Sequence, residues 1–307
     1  MLRAAIVAAL LGTIAHGAPA PAVIAALAAP ETKDVRDTVL LGPNGQVYEP
    51  DGNGAWIRHH TGGIADDVVR ASRAGGRVIV GVESGPPYAY APGKTGDGAW
   101  HMVVLGLHAK AIVGHGPRAT AAFGRQVFGL ETGTPVRLTD APAPVLTLAA
   151  SRKSVVIVTD QGLARLVGQR WKSIAIAPAQ VTALLDDRWA LVDRGLLDLR
   201  AGKVTAWPTG FRPSAVFAVD NDLVVAAGTQ GANLVLVTLK AGKLDHELIG
   251  VRLATVVALA ADRAGRVVVA ARDGQLAVRD KQDAWTATAV RDELPAGRPG
   301  SPPAVQP

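Results

Sequence analysis

The stretch Arg152–Ile176, RKSVVIVTDQGLARLVGQRWKSIAI, decides the fold. Residues 155–159 are a β-branched run, and such side chains suit a pleated, half-buried strand. Asp160-Gln161-Gly162 follows as a turn, since glycine enters the left-handed region without steric cost. Leu163 to Val167 reads as a second strand and Gly168-Gln169 as a second turn. Trp171 to Ile176 is a third strand, with Trp, Ser and Ala alternating against Lys, Ile and Ile. The apolar run Val145 to Ala150 precedes all of this. Four strands in about forty residues is the strand-and-turn spacing of an all-β chain.

The same grammar recurs along the chain. Thr38 to Leu41 leads to Gly45, a strand through Tyr48, and Trp56. Val78 to Val82 leads to Gly85, Tyr88-Ala89-Tyr90 and Trp100. Trp189 to Val192 leads to Gly195, Leu196 to Leu199 and Trp207, and Arg266 to Ala271 leads to Gly274 and Trp285. Two weaker copies turn at Gly124 and Gly231 and lack the tryptophan. The turn glycines 45, 85, 124, 162, 195, 231 and 274 are spaced about 33 to 43 residues apart, close to the period of propeller blades. A four-stranded sheet this small cannot cover its own apolar faces, and stacking such sheets around an axis lets neighbours cover them. The expectation is therefore an all-β, seven-bladed β-propeller of four-stranded antiparallel blades, set against a two-sheet sandwich. Because the apolar run from Ala22 to Leu27 serves as the first innermost strand, the ring is expected to close by packing alone.

Composition fits one large all-β unit. The chain has 307 residues, 49% of them hydrophobic and 19% charged, with 34 glycines. The six tryptophans fall mostly at matching repeat positions, where packing between blades is their expected role. The net charge of +6 is scattered, and no basic cluster with interleaved aromatics marks a nucleic-acid surface. The chain has no cysteine, which excludes disulfides, thiol nucleophiles and Cys-zinc sites.

Residues 1–17 read as a secretory signal: Arg3, an apolar stretch, and small residues before Ala18. A retained anchor is the competing reading, because the uncharged run extends to Pro30. Residues 18–292 are then one propeller domain and 293–307 a disordered tail rich in proline and glycine. The expected location is the periplasm or outside the cell, with no integral membrane segment after signal cleavage.

The units resemble the seven-bladed propellers of the sialidase-like, Asp-box and YVTN type. Asp51-Gly52-Asn53-Gly54-Ala55-Trp56 and Asp97-Gly98-Ala99-Trp100 come near the Asp-box pattern without its full spacing. The resemblance implies ligand binding at one end of a central funnel. That end gathers His59, His60, Tyr88, His108, Asp160, Asp193, Arg194, Phe211, Arg212 and Arg272. From these, His59, Tyr88, His108, Asp193, Arg194 and Arg212 are the expected ligand-binding residues. Neighbouring-loop histidines suggest a metal, but His59 and His60 point apart in an extended chain, so no metal is expected. No cofactor and no catalytic residue are expected either. The favoured function is a monomeric, non-catalytic module binding a protein or glycan. The alternative is an envelope polysaccharide hydrolase of sialidase-like type, with Tyr88 beside Glu83 as its nucleophile pair.

Overall fold

The structure is a computed structural model that describes residues 22–28, 37–51, 54–61, 64, 68–74, 77–83, 85–90, 100–103, 111–115, 118–130, 135–151, 154–176, 180–280, 282 and 284–291, with backbone only at 59–61, 74 and 115. The expected signal (1–17), the expected tail (293–307) and His108 lie outside the described residues.

The described chain is a succession of antiparallel four-stranded meanders. The first is β1 (Ala25–Leu27), β2 (Val39–Leu41), β3 (Gln46–Pro50) and β4 (Trp56–Thr61). The second is β5 (Val68–Ala74), β6 (Arg77–Val82), β7 (Tyr88–Tyr90) and β8 (Trp100–Met102). The third is β9 (Ala111–His115), β10 (Arg118–Phe123), β11 (Gln126–Gly129) and β12 (Val136–Asp140). The fourth holds the opening stretch: β13 (Val145–Ala150), β14 (Val155–Thr159), β15 (Gly162–Val167) and β16 (Arg170–Ile174). The fifth is β17 (Ala183–Leu184), β18 (Trp189–Val192), β19 (Gly195–Asp198) and β20 (Lys203–Ala206). The sixth is β21 (Phe211–Asp220), β22 (Leu223–Gln230), β23 (Asn233–Lys240) and β24 (Lys243–Leu248). The last is β25 (Val256–Ala261), β26 (Val267–Ala271), β27 (Gln275–Arg279) and β28 (Trp285–Arg291).

The second strand of each meander explains why the sheets stack. In β14, Val155 and Ile157 pack towards the third meander, while Val156 and Val158 pack towards the fifth. In β26, Val267 and Val269 face the sixth meander, while Val268 and Ala270 face the first. A strand buried on both faces reads as an unbroken apolar run, which is what these sequences are. Further clusters join the first meander to the second, the second to the third, and the fifth to the sixth. The run of clusters returns to its start, so the meanders stand in a closed ring. Tryptophans stitch neighbours together as expected. The Trp100 indole N–H donates to Gly45 O, that of Trp171 to Asp140 O, and that of Trp189 to Asn221 O, each in the adjacent meander.

Two expectations are corrected. Hydrogen bonding does not divide the strands into seven separate sheets. It gives five separate four-stranded sheets and one sheet of eight, in the order β1-β2-β3-β4-β28-β27-β26-β25. Nor does the ring close by packing alone: β28 runs parallel to β4, with Val290 opposite Trp56 and Arg291 opposite Ile57. Val23 N–H also donates to Arg272 O at 3.2 Å. Arg170 and Lys172 on β16, Lys203 on β20 and Lys243 on β24 are exposed and charged, which discourages pairing at an open sheet edge.

The two copies that look weak in the sequence are complete, and the one turning at Gly231 has the longest strands. The aligned glycines also serve two different ends. Gly231 turns the chain with φ 62. Gly195 has no positive φ; a Cβ there would lie 2.1 Å from Thr205 O, so it is glycine to let β20 approach.

Candidate functional site at one end of the central channel

In each meander the turn between second and third strands, and the passage to the next meander, lie at one end of the ring, here the upper. The turns between first and second and between third and fourth strands lie at the lower end. The innermost strands β5, β13, β21 and β25 each carry a bulge near their upper end. In each the pairing skips one residue: Val69, Leu146, Ser214 and Val257. A bulge takes a residue out of the ladder and re-aims it. Repeated on four innermost strands, it takes Val69, Leu146, Ser214 and Val257 out of the ladder near the upper end, where Val257 packs against the cluster shared by the first and last meanders. Leu146 is 47% exposed there, and Ser214 is exposed as well.

At the lower end several charged groups are tied to one another, while Arg170, Lys203 and Lys243 are exposed there and form no ion pair among the described residues. Arg188 Nε donates to Asp198 Oδ2 at 2.9 Å and its Nη1 to Asp222 Oδ1 at 2.9 Å, with its guanidinium 4.9 Å from the Trp189 ring centre. Arg200 pairs with the buried Asp187, Arg263 with Asp220, and Arg266 with Asp262. At the upper end, the side chains of Asp160, Asp193, Arg194, Arg212 and Arg272 form no ion pair among the described residues.

The expected site residues are placed as follows. Asp193 and Arg194 form the two-residue turn between β18 and β19, both exposed. Arg194 O accepts Trp207 N–H at 2.9 Å, and Trp207 meets Phe211 edge-on, with ring centres 5.5 Å apart. Phe211 precedes Arg212, which is exposed on β21 opposite Thr229. Asp193, Arg194 and Arg212 thus belong to adjoining meanders at one end. Tyr88 opens β7, in the second meander, and packs against the cluster between first and second meanders. His59 lies on β4 at its irregularity opposite Val47 and Tyr48, and its side chain is outside the described residues.

Tyr90, two residues beyond Tyr88, has a carboxylate partner in the first meander. Tyr90 donates to Glu49 Oε1 at 3.2 Å and is fully buried between two meanders. Burial, and then the Glu49 charge, push its phenol well above the usual range. Among the described residues no group of three His, Cys, Asp or Glu is placed to hold a metal ion.

The lower end supplies a pH prediction. Asp186 Oδ1 accepts the N–H groups of Arg188 at 2.8 Å and Trp189 at 2.5 Å. Burial nevertheless pushes its carboxyl up to about 6. Its contribution to stability is therefore complete below the ordinary carboxylate range and lost as pH rises through about 6. Asparagine accepts the same two bonds without the charge. Asp186→Asn should gain about 1–2 kcal/mol at pH 8 and close to nothing at pH 4, read from melting temperatures at the two pH values. Equal destabilisation at both would refute the assignment.

Several solved structures resemble this chain. The WD40 β-propeller domain of Doa1 matches with TM-score 0.56 and 14% identity, over 84% of this chain and 92% of that one. YCF48 bound to D1 peptide matches with TM-score 0.54 and 14% identity, over 84% and 90%. The computationally designed Ika8 matches with TM-score 0.54 and 15% identity, over 90% and 89%. The chain has the β-propeller fold. No protein-family model matches it, and no curated protein matches it.

Sequence reasoning about this propeller missed its channel. The bulged residues Val69, Leu146, Ser214 and Val257 carry no turn signal, and a bulge shows only against the partner strand.

Proposed function

We propose that this protein is an exported, non-catalytic propeller of seven blades that binds a partner protein at the upper end of its channel. The number seven counts the eight-stranded sheet as two blades joined by their outer strands. Export rests on the signal-like residues 1–17. The reading is carried by one observation: Asp193, Arg194 and Arg212, from adjoining meanders, are exposed together at the upper end without an ion pair among the described residues, on the same end as the exposed, bulged Leu146 and Ser214. Such a mixture of exposed apolar side chains and available cations suits a protein surface. One structure that resembles this chain is that of YCF48 bound to D1 peptide. Among the described residues no helix is long and apolar enough to cross a membrane.

The test places a photo-crosslinking residue at Ser214, at the mouth, or at Val204, exposed on outer strand β20. In cells of the source organism, protein adducts should form from position 214 and not from 204. They should fall when Arg194 and Arg212 are both replaced by alanine. Equal labelling at the two positions, or turnover in a glycosidase screen, overturns the proposal.

A further inference from the structure

The cations of the upper end are not spread evenly around the ring. Arg194 in the fifth meander, Arg212 in the sixth and Arg252 in the passage that follows it are exposed, and Arg272 in the last is half-buried. None of the four forms an ion pair among the described residues. Elsewhere on this end the described turns hold Asn44 in the first meander, Arg125 in the third and Asp160 in the fourth. Arg125 is engaged, its Nε donating to Ala141 O at 3.0 Å. The exposed cations of the lower end, Arg170, Lys203 and Lys243, stand one to a meander on outermost strands, where a charge guards an open edge. Arg194, Arg252 and Arg272 lie between strands, so edge protection does not account for them.

Backbone contacts gather these arginines along one arc. Arg194 O accepts Trp207 N–H at 2.9 Å, which sets the Arg194 turn beside the short passage leading to Phe211 and Arg212. Arg212 stands opposite Thr229, and Ala215 opposite Ala227. Thr229 and Ala227 are two apart on β22, so they share a face. Ala227 packs in the cluster between the sixth and last meanders, so Arg212 lies on the face towards the last meander. Val251 and Leu253 pack against that same cluster, with the exposed Arg252 between them. The passage then ends at Thr255, whose carbonyl accepts Arg272 N–H at 2.9 Å. Arg212, Arg252 and Arg272 therefore belong to one seam, and Arg194 lies one passage away. The nearby Glu247 is already held by Arg279 at 2.9 Å.

We infer that this arc docks an acidic segment of the partner protein, with carboxylates set against Arg212 and Arg252. Guanidinium groups pair with carboxylates through a planar fork of N–H donors. Complementary charge of this kind steers a partner and fixes its register. The arc is not uniformly positive: Asp193 and Asp273 are exposed within it. A membrane surface or a nucleic-acid backbone presents the same charge everywhere and meets both aspartates, whereas a protein segment places its carboxylates selectively. The aromatic pair of the arc, Trp207 and Phe211, pack on each other rather than offering a face to a base. Exposed Ser214, Thr229 and Thr255 add the hydroxyls that suit a peptide chain. This deepens the proposal of a protein partner and rests on it.

Two fluorescent peptides of equal length test it: one alternating Glu with Ser, the other with Gln in place of every Glu. At low salt the full chain should bind the Glu peptide about tenfold more tightly, and the difference should shrink as salt is raised. The double variant Arg212→Glu, Arg252→Glu should lose that preference. Lys203→Glu with Lys243→Glu makes the same change in net charge at the lower end and should keep it. All four side chains are exposed, so the melting temperatures should not move. Equal binding of the two peptides overturns the inference, as does equal loss in both double variants or absence of binding at millimolar peptide. Tighter binding of single-stranded DNA or of phosphatidylglycerol vesicles than of the Glu peptide overturns it as well. The comparison of peptides on the unaltered protein holds even if a variant does not fold. Adducts at position 214 without a preference for the Glu peptide would remove the acidic segment and leave the partner site standing.

Discussion

Replacing Trp56 with alanine should cost about 3–5 kcal/mol of stability, the range for a large aromatic removed from a packed interior. Trp56 is fully buried, in the cluster shared by the first and last blades. Its indole N–H donates to Thr38 O at 2.7 Å, and Thr38 is itself buried. Its backbone stands opposite Val290 in the parallel pair that joins the two ends of the chain. One residue thus fills the core, satisfies a buried carbonyl and sits at the seam. Trp56→Phe keeps much of the apolar area and loses the indole bond, so it should cost about 1–2 kcal/mol. Denaturant midpoints of the two variants measure both losses. A cost below about 1 kcal/mol for the alanine variant would show that the seam contributes little to stability.

Loss of the buried charge pair in the last blade should be of similar size. Asp262 Oδ2 accepts Arg266 Nε at 2.5 Å, with side chains only 1% and 7% exposed. Asp262 Oδ1 also accepts the N–H groups of Ala264 at 2.8 Å and Arg266 at 3.1 Å, which shapes the turn between β25 and β26. Asp262→Ala removes the acceptors and leaves a guanidinium buried without its charge partner, at a cost of about 3–5 kcal/mol. The double variant Asp262→Asn, Arg266→Met keeps a turn acceptor and removes both charges. It should lie within about 1 kcal/mol of the parent, since an apolar replacement of a buried pair is often neutral. If the double variant is as unstable as Asp262→Ala, the turn bonds rather than the charge carry the stability.

Much of the architecture follows from residues close in sequence. Val155–Thr159 and Val267–Ala271 are apolar at every position but the terminal Thr159 because both faces of each strand are covered by neighbours. A run of that length bounded by turn glycines is legible in one dimension. The tryptophans at repeat positions were legible for the same reason: each packs a blade interface, so each recurs with the blade. At the candidate site, the turn position of Asp193-Arg194 and the end of the ring that holds Arg212 were readable from strand order alone.

What the sequence by itself determined about this protein is therefore the unit: strand, turn, strand, repeated, with two apolar faces that need neighbours. Tertiary structure alone decided how the units meet. Trp56 and Val290 are far apart in sequence, and no local pattern declares that their strands pair. The bulges at Val69, Leu146, Ser214 and Val257 exist only relative to a partner strand that skips them. Tyr90 finds Glu49 and Arg188 finds Asp222 across blade boundaries. The physical reason is range: propensity and alternation act over a few residues, whereas ring closure, ion pairing and desolvation depend on which distant surfaces the ring brings together.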